Sequence, residues 1–492
     1  MGHGLQTLIK DIAIIGTGFG GLGMAIQLQK AGHSDFVILE KGASSGGCWR
    51  ENSYPGAACD VPSLLYSFSF EPKPDWSRAF APQAEIQEYL KHCETKYGLT
   101  EKIHFNTEVV SAEFNQENGR WLLTTSSGQQ ISSRIFISAC GQLSQPATPS
   151  IKGMENFSGK IMHSARWDHD YSLKNKKVAV LGTGASAIQF VPEVAKEAAS
   201  LHVLQRSAPY ILPKPDRAYS EKEKARLKSF PLWQKLCRLG IYLTYESRLL
   251  GFTYLQKAMG LGRAKCSAYM KKTIKDPELR KKFTPDYPIG CKRILISNNY
   301  YQTFTQDKVH LETHAIDTIT EKGIKFQNGV DIEVDTLIYG TGFKATEFLT
   351  PMEVTGLGGK TLNQEWHKGA EAYLGITVND FPNFFMLYGP NTNLGHNSIV
   401  YMLESQIQYI LDAVDIIKSK NLASFNIRQQ PQHDFNQSIQ GKLKSTVWEK
   451  GCVSWYKNKE GKNTVNWHDF TFAYRQQTRR INLQDYHAIE LV

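Results

Sequence analysis

Two stretches of this chain read as the same β–α–β unit, and that repetition limits the available folds more than any other feature. The first runs from an apolar segment, Ile9-Lys-Asp-Ile-Ala-Ile-Ile15, through Gly16-Thr-Gly18-Phe-Gly-Gly21. It continues as a helical stretch, Leu22 to Ala31, and a second apolar segment, Asp35-Phe-Val-Ile-Leu-Glu40. The second unit runs Lys177-Val-Ala-Val-Leu-Gly182-Thr-Gly184-Ala-Ser-Ala187 and later Leu201-His-Val-Leu-Gln-Arg206. Short apolar runs of this kind suit buried parallel strands. Set between strand and helix, the small residues let backbone approach a pyrophosphate, and the helix N-terminus offers unpaired N–H groups. The chain therefore reads as α/β, with two Rossmann-like dinucleotide-binding domains.

The residue that closes each unit separates the two sites. Gly16 to Glu40 and Gly182 to Arg206 both span 24 residues, so one structural position carries an acid in the first unit and a base in the second. A carboxylate there accepts from a ribose 2′-hydroxyl and repels a 2′-phosphate, whereas a guanidinium pairs with that phosphate. The first site suits an unphosphorylated ribose, as in FAD, held by Gly16, Gly18, Gly21 and Glu40. The second suits NADP(H) over NAD(H).

Two later segments echo one another: Arg134-Ile-Phe-Ile-Ser-Ala139-Cys-Gly141 after Gly128, and Asp335-Thr-Leu-Ile-Tyr-Gly340-Thr-Gly342 after Gly329. Each reads as turn, strand and small residues, as where a chain crosses between nucleotide-binding domains. Between them lies an insertion rich in helix formers and aromatics. The C-terminal third opens with Phe384-Phe-Met-Leu-Tyr-Gly389-Pro390-Asn391, a polar loop and a helical run from Ser398 to Lys418. This gives residues 1–144 and 346–492 to the FAD domain, 145–212 and 289–345 to the NADP domain, and 213–288 to a helical insertion.

Composition narrows the class by exclusion. The formal net charge is +10. Residues 221–282 carry sixteen Lys/Arg against five Asp/Glu, so the rest of the chain is near neutral. Such a region could attract nucleic acid or an anionic membrane surface. The lack of a recognised nucleic-acid module, and charges that interrupt every apolar run, favour a solvated helical roof over a site for a polyanionic cofactor. No apolar run is long enough for a membrane helix. The N-terminus passes from Met1-Gly2-His3 straight into the first strand, without a signal peptide, and Gln6 fails the myristoylation pattern. The eight cysteines form no C-x-x-C pair, which argues against a redox dithiol, a zinc site or a disulfide framework and for a reduced cytoplasmic protein.

Two further stretches give the chain a family resemblance. One is Gly46-Gly47-Cys48-Trp49-Arg-Glu-Asn-Ser-Tyr54-Pro55-Gly56-Ala-Ala-Cys-Asp60. The other is Phe157-Ser-Gly159-Lys-Ile-Met-His163-Ser-Ala-Arg-Trp167-Asp168, set between the two glycine loops. Together they look like the two signatures of type I Baeyer–Villiger monooxygenases, a class of flavoprotein monooxygenases, from about residue 10 to about residue 470. The resemblance places Cys48, Trp49, Asp60, Tyr66, Val109 and Ile399 around FAD. It places Ala58, Cys59, Asp60, Thr183, Gly184, Ala185, Ser186, Ala187, Ile188, Gln189, Arg206, Ser207, Lys292, Arg293 and Trp455 around NADP(H). Gly340 stands where that family commonly has Ala.

The resemblance implies that NADPH reduces FAD, and that reduced flavin captures O2 as an anionic peroxide which attacks a small apolar ketone. The oxygen would enter beside the carbonyl to give an ester or lactone. Arg293 would be the catalytic cation, since a guanidinium stays charged, and Asp60 would orient it. His163 and Trp167 would act in the connection between domains rather than in the chemistry. The alternative is a flavin monooxygenase acting on sulfur or nitrogen, and a reductase or electron-transfer flavoprotein is a more distant rival. Neither nucleic acid nor integral membrane association is expected, and the oligomeric state is open.

Overall fold

In the computed structural model, which describes residues 7–491, both glycine units fold as strand, turn, helix and strand, each with its two strands side by side and parallel in its own sheet. The expectations for residues 1–6 lie outside the described residues. The first sheet is ordered Glu353–Thr355, Val109–Asn115, Arg120–Thr125, Gln130–Ser138, Leu8–Ile15, Phe36–Leu39, Ile103–His104. Phe384–Met386 also pairs in parallel with Gln130–Ser138. Leu8–Ile15 lies between Phe36–Leu39 and Gln130–Ser138, with Ile12 opposite Phe36 on one side and Ile135 on the other. Ile12, Ala13 and Ile14 are buried on both faces, which is why the centre of the run shows no alternation, while Ile9 is exposed.

The second sheet is entirely parallel: Val309–Glu312, Ser200–Leu204, Lys177–Leu181, Thr336–Tyr339, Lys160–His163. The stretch from Phe157 to Asp168 is thus no free connector. Its middle is the edge strand of the second sheet, with His163 opposite Tyr339. The helix Ala187–Glu197 covers this sheet through Phe190, Val191 and Val194, while Phe19–Lys30 and Ile399–Ser419 pack on the first. Ser398 caps the latter helix, its side chain accepting from the Val400 N–H.

The loops need glycine for steric reasons. Gly16 and Gly182 have φ of +98° and +112°. A Cβ would meet the Ala139 carbonyl oxygen at 2.7 Å at Gly16 and that of Gly340 at 2.5 Å at Gly182. Gly340 is itself pressed by Ala187 Cβ and Phe190 Cζ, 3.2 and 3.3 Å from where a Cβ would sit. Alanine there would need those neighbours to give by a few tenths of an ångström, a physical reason for glycine at 340.

The insertion folds into helices, among them Glu221–Ser229, Pro231–Glu246 and Met259–Thr273. None of the described helices is long and apolar enough to cross a membrane. One cysteine expectation is overturned. Cys291 is disulfide-bonded to Cys452, 161 residues away, and the other six cysteines are free. Nothing local in the sequence marks that pair, because only the meeting of two remote loops brings the thiols together.

Two outcomes follow for stability. Gly182→Ala should destabilise the protein by on the order of 1–3 kcal/mol, the usual scale for a non-glycine forced into such a conformation. An unchanged urea midpoint would contradict the steric account. Cys452→Ser should lose about 2–4 kcal/mol, as for other cross-links across long loops. Dithiothreitol should lower the unfolding midpoint of the wild type and leave that variant unmoved.

Candidate functional site

Each glycine loop ends at a helix whose first turn has no capping side chain and no acid: Phe19–Lys30 after Gly18, and Ala187–Glu197 after Ser186. The backbone N–H groups there have no local anion to satisfy them, as a pyrophosphate site requires. Gly18 lies against Gly47, whose φ is +54°, and a Cβ on Gly47 would come within 2.9 Å of Gly18 Cα. Glycine against glycine brings the Cys48–Glu51 turn onto the first loop.

Glu40 is buried at the end of its strand. One carboxylate oxygen accepts from the Thr17 N–H at 3.0 Å and the Thr17 hydroxyl at 2.5 Å. The other accepts from the Gly42 N–H and from Arg50 Nη1, both at 2.8 Å. A ribose diol would share this carboxylate with Arg50, a residue that sequence reading passed over. Arg50 also pairs with Glu51, and Glu51 pairs with Arg166 at 2.5 Å.

At the second loop Gly184 and Ala185 are exposed, as an open binding edge would be, but Ala187 and Ile188 are not. Both side chains sit in the second core, and the Ile188 N–H is already spent on the Gly184 carbonyl at 3.1 Å. The Ile188 side chain thus packs in the core at the foot of the loop. Gln189 turns the other way. Its amide donates to the Ala58 carbonyl at 2.9 Å, and its oxygen accepts from the Tyr54 hydroxyl at 2.9 Å. It joins the two halves beside the site.

Arg206 stands exposed past the strand Ser200–Leu204. Lys292 donates to the Ser207 hydroxyl at 2.9 Å, and Thr183 donates to the Ser207 carbonyl at 3.2 Å. Burial, together with the nearby charge of Arg206, holds the Lys292 ammonium below its ordinary pKa. Two cations that repel one another are a favourable setting for a dianion such as a 2′-phosphate.

Arg293 meets Asp60 across 233 residues, its Nε and Nη2 donating to a single carboxylate oxygen at 2.9 and 2.5 Å. The charge of Asp60 raises the pKa of the guanidinium, so it is a fixed cation. Trp49 Nε1 donates to the Tyr66 hydroxyl at 3.2 Å, and Tyr66 stands edge-on to Phe19. Cys59 is buried next to Asp60. Two tyrosines that sequence reading did not assign lie by Arg293: Tyr388, and Tyr456, whose phenol burial pushes up to about 12. The adjacent rings of Trp455 and Tyr456, with centroids 4.6 Å apart, were the available signal. The disulfide fixes this side as well, since Cys291 directly precedes Lys292 and Cys452 lies three residues before Trp455.

Val109 lies in the core beside Leu39, and Ile399 opens its helix, half-buried between two cores. The five defining residues of the 157–168 stretch lie apart from the Arg293 cluster. Phe157 is in a core, and a Cβ on Gly159 would meet the Asp335 carbonyl at 2.4 Å. His163 Nδ1 accepts from the Ala165 N–H at 3.0 Å, and burial lowers its pKa. Trp167 packs on Phe190, and Asp168 pairs with Lys160 at 2.5 Å. The links to the other half come from the positions between them: Arg166 to Glu51, and His169 Nε2 to the Ser53 hydroxyl at 2.8 Å.

Residues 13–230 match the family model described as pyridine nucleotide-disulphide oxidoreductase. A protein named Baeyer–Villiger monooxygenase from Pseudomonas aeruginosa is 49% identical over 97% of this chain and 91% of its own length. Steroid monooxygenase, solved in its oxidised form with NADP, superposes with a TM-score of 0.89 at 29% identity, over 98% of this chain and 100% of that one. OTEMO, solved in complex with FAD and NADP, gives a TM-score of 0.88 at 25% identity over the same shares. With two dinucleotide cradles and a fixed arginine–aspartate pair between them, this chain belongs to the Baeyer–Villiger monooxygenase family.

Proposed function

We propose that the enzyme, an FAD- and NADPH-dependent monooxygenase, inserts one O2-derived oxygen beside the carbonyl of a small apolar ketone to give an ester or lactone. The observation that carries this reading is Arg293, a permanent cation held by Asp60 where both halves of the molecule meet. Attack on a carbonyl puts negative charge on oxygen, and a preoriented cation stabilises that charge more in the transition state than before it. Oxidation of a sulfide places no such demand.

Bound FAD supplies the activation of O2, and NADPH supplies the electrons. The chain's own residues do the rest. The two uncapped helix N-termini receive the pyrophosphates, Glu40 takes the ribose in the adenosine half of FAD, and Arg206 with Lys292 takes the 2′-phosphate. Asp60 fixes the direction of the Arg293 fork, while Trp49, Tyr66, Tyr388 and Tyr456 wall the centre and limit access of water. On this reading the described residues up to 144 and from 346 onward make the FAD half, and 145–212 with 289–345 make the NADP half.

The decisive experiment offers the purified enzyme a ketone panel and a sulfide in parallel under labelled O2. Labelled ester or lactone supports the reading, whereas sulfoxide alone overturns it. Arg293→Ala should still consume NADPH but release hydrogen peroxide, with ester formation down by about a hundred- to a thousandfold, the usual cost of a lost preorganised donor. Normal ester yield per NADPH from that variant would remove Arg293 from the mechanism. Arg206→Ala should raise the KM for NADPH far more than for NADH, and equal effects on both would deny it the 2′-phosphate.

A further inference from the structure

The helical insertion turns some of its apolar residues inward, with Tyr245 buried near Asp60, but leaves a row of leucines facing outward. Along the helix Pro231–Glu246, Leu232, Leu236, Leu239 and Leu243 are spaced four, three and four apart, so they form one stripe. All four face solvent, at 70, 51, 49 and 56% exposure. A second apolar group lies beyond the end of this helix. Glu246 there bonds Thr471, whose neighbours Phe470 and Phe472 stack with ring centroids 5.0 Å apart. Tyr254, 60% exposed, stacks on Phe470. So many exposed leucine and aromatic side chains are unusual on a protein surface that nothing covers.

The charges around it are mostly positive. Between Glu223 and Asp276 the only carboxylate is Glu246, and it is buried against Asn397 and Thr471. Lys235 sits on one flank of the leucine stripe, and on the other the Arg226 guanidinium lies 4.5 Å above the Trp233 ring. Lys228, Lys257 and Lys265 are exposed in the same insertion. The nearby acids are few: Asp469, half-buried beside Tyr254, and Glu221 and Glu223 at the start of the preceding helix. The region thus offers leucine and aromatic side chains and an excess of cations.

We propose that this face docks on an anionic lipid surface, the leucine stripe entering the interface and the flanking cations meeting the headgroups. Charge decides among the possible occupants. A second copy of the chain would set one strongly positive face against another, which disfavours self-association. Nucleic acid would use the cations but has no place for four exposed leucines. A basic helix with an apolar stripe lies flat at a bilayer boundary, and its binding depends on both features.

The test is co-sedimentation of the FAD-loaded, full-length enzyme with vesicles of phosphatidylcholine alone and of phosphatidylcholine with one-quarter phosphatidylglycerol. The enzyme should pellet with the anionic vesicles at low salt, at least tenfold less with the neutral ones, and progressively less as salt rises. Leu236→Ser/Leu243→Ser and, separately, Lys228→Glu/Lys235→Glu should each cut the bound fraction at least tenfold. Both should keep wild-type flavin absorbance and NADPH consumption, which shows that the fold is intact. Failure of the wild type to pellet with anionic vesicles overturns the proposal, as does undiminished binding by either variant. A dimer in sedimentation velocity that the leucine variant abolishes, or retention on DNA without vesicle binding, would also overturn it by assigning the face to another occupant.

Discussion

The ion pair between Arg293 and Asp60 is the interaction on which the rest of the site depends. Both side chains are less than one-third exposed, so each has lost much of its water, and the pair repays that loss only when its geometry is held. The surroundings hold it from both ends. On one end, the Cys59 N–H donates to the Ala81 carbonyl at 2.9 Å, and Gln189 clamps Ala58. On the other, the Cys291–Cys452 bond and the contact of Lys292 with Ser207 bracket the arginine. The two partners come from opposite halves of the chain, so the pair also reports whether those halves are correctly docked.

The 157–168 stretch reaches the same end by other means. Its defining residues build an edge strand and a core, which is structural work. Arg166, in a position the pattern leaves free, pairs with Glu51, Glu51 with Arg50, and Arg50 with Glu40. A ladder of alternating charge therefore runs from the edge of the second sheet to the acid of the first dinucleotide cradle. The invariant-looking positions set the strand, and the strand aims Arg166. Any shift of the second sheet would be felt first at Glu51, before Glu40.

What could be read from the sequence was local. The glycine loops, their strands and the charge at residues 40 and 206 are properties of short segments, and the α/β fold follows from them. The helical run from Ser398 was equally plain, although Ser398 proves to be its cap rather than its first turn. What could not be read depends on segments meeting far apart in sequence. Cys291 and Cys452 carry no mutual spacing, Arg50 looks like a surface residue until it is laid on Gly42, and Tyr388 gains its place only because its loop returns beneath Arg293. Ile188 shows a further limit: it follows a loop whose backbone is apt for phosphate, but the helical period turns its side chain into the core.

The opposed charges at the two strand ends also bear on how one chain keeps two similar cradles apart. On the functional reading above, both sites take a dinucleotide through the same backbone geometry, so the backbone cannot discriminate. Discrimination must come from the 2′ position. A 2′-phosphate brought to the first cradle would face the buried Glu40 carboxylate, a like-charge contact with little water to screen it. An unphosphorylated ribose brought to the second would leave Arg206 and Lys292 repelling one another with no dianion between them. On that reading each cradle disfavours the other's ligand at an equivalent position, through Glu40 in one and through Arg206, aided by Lys292 from outside the repeated unit, in the other.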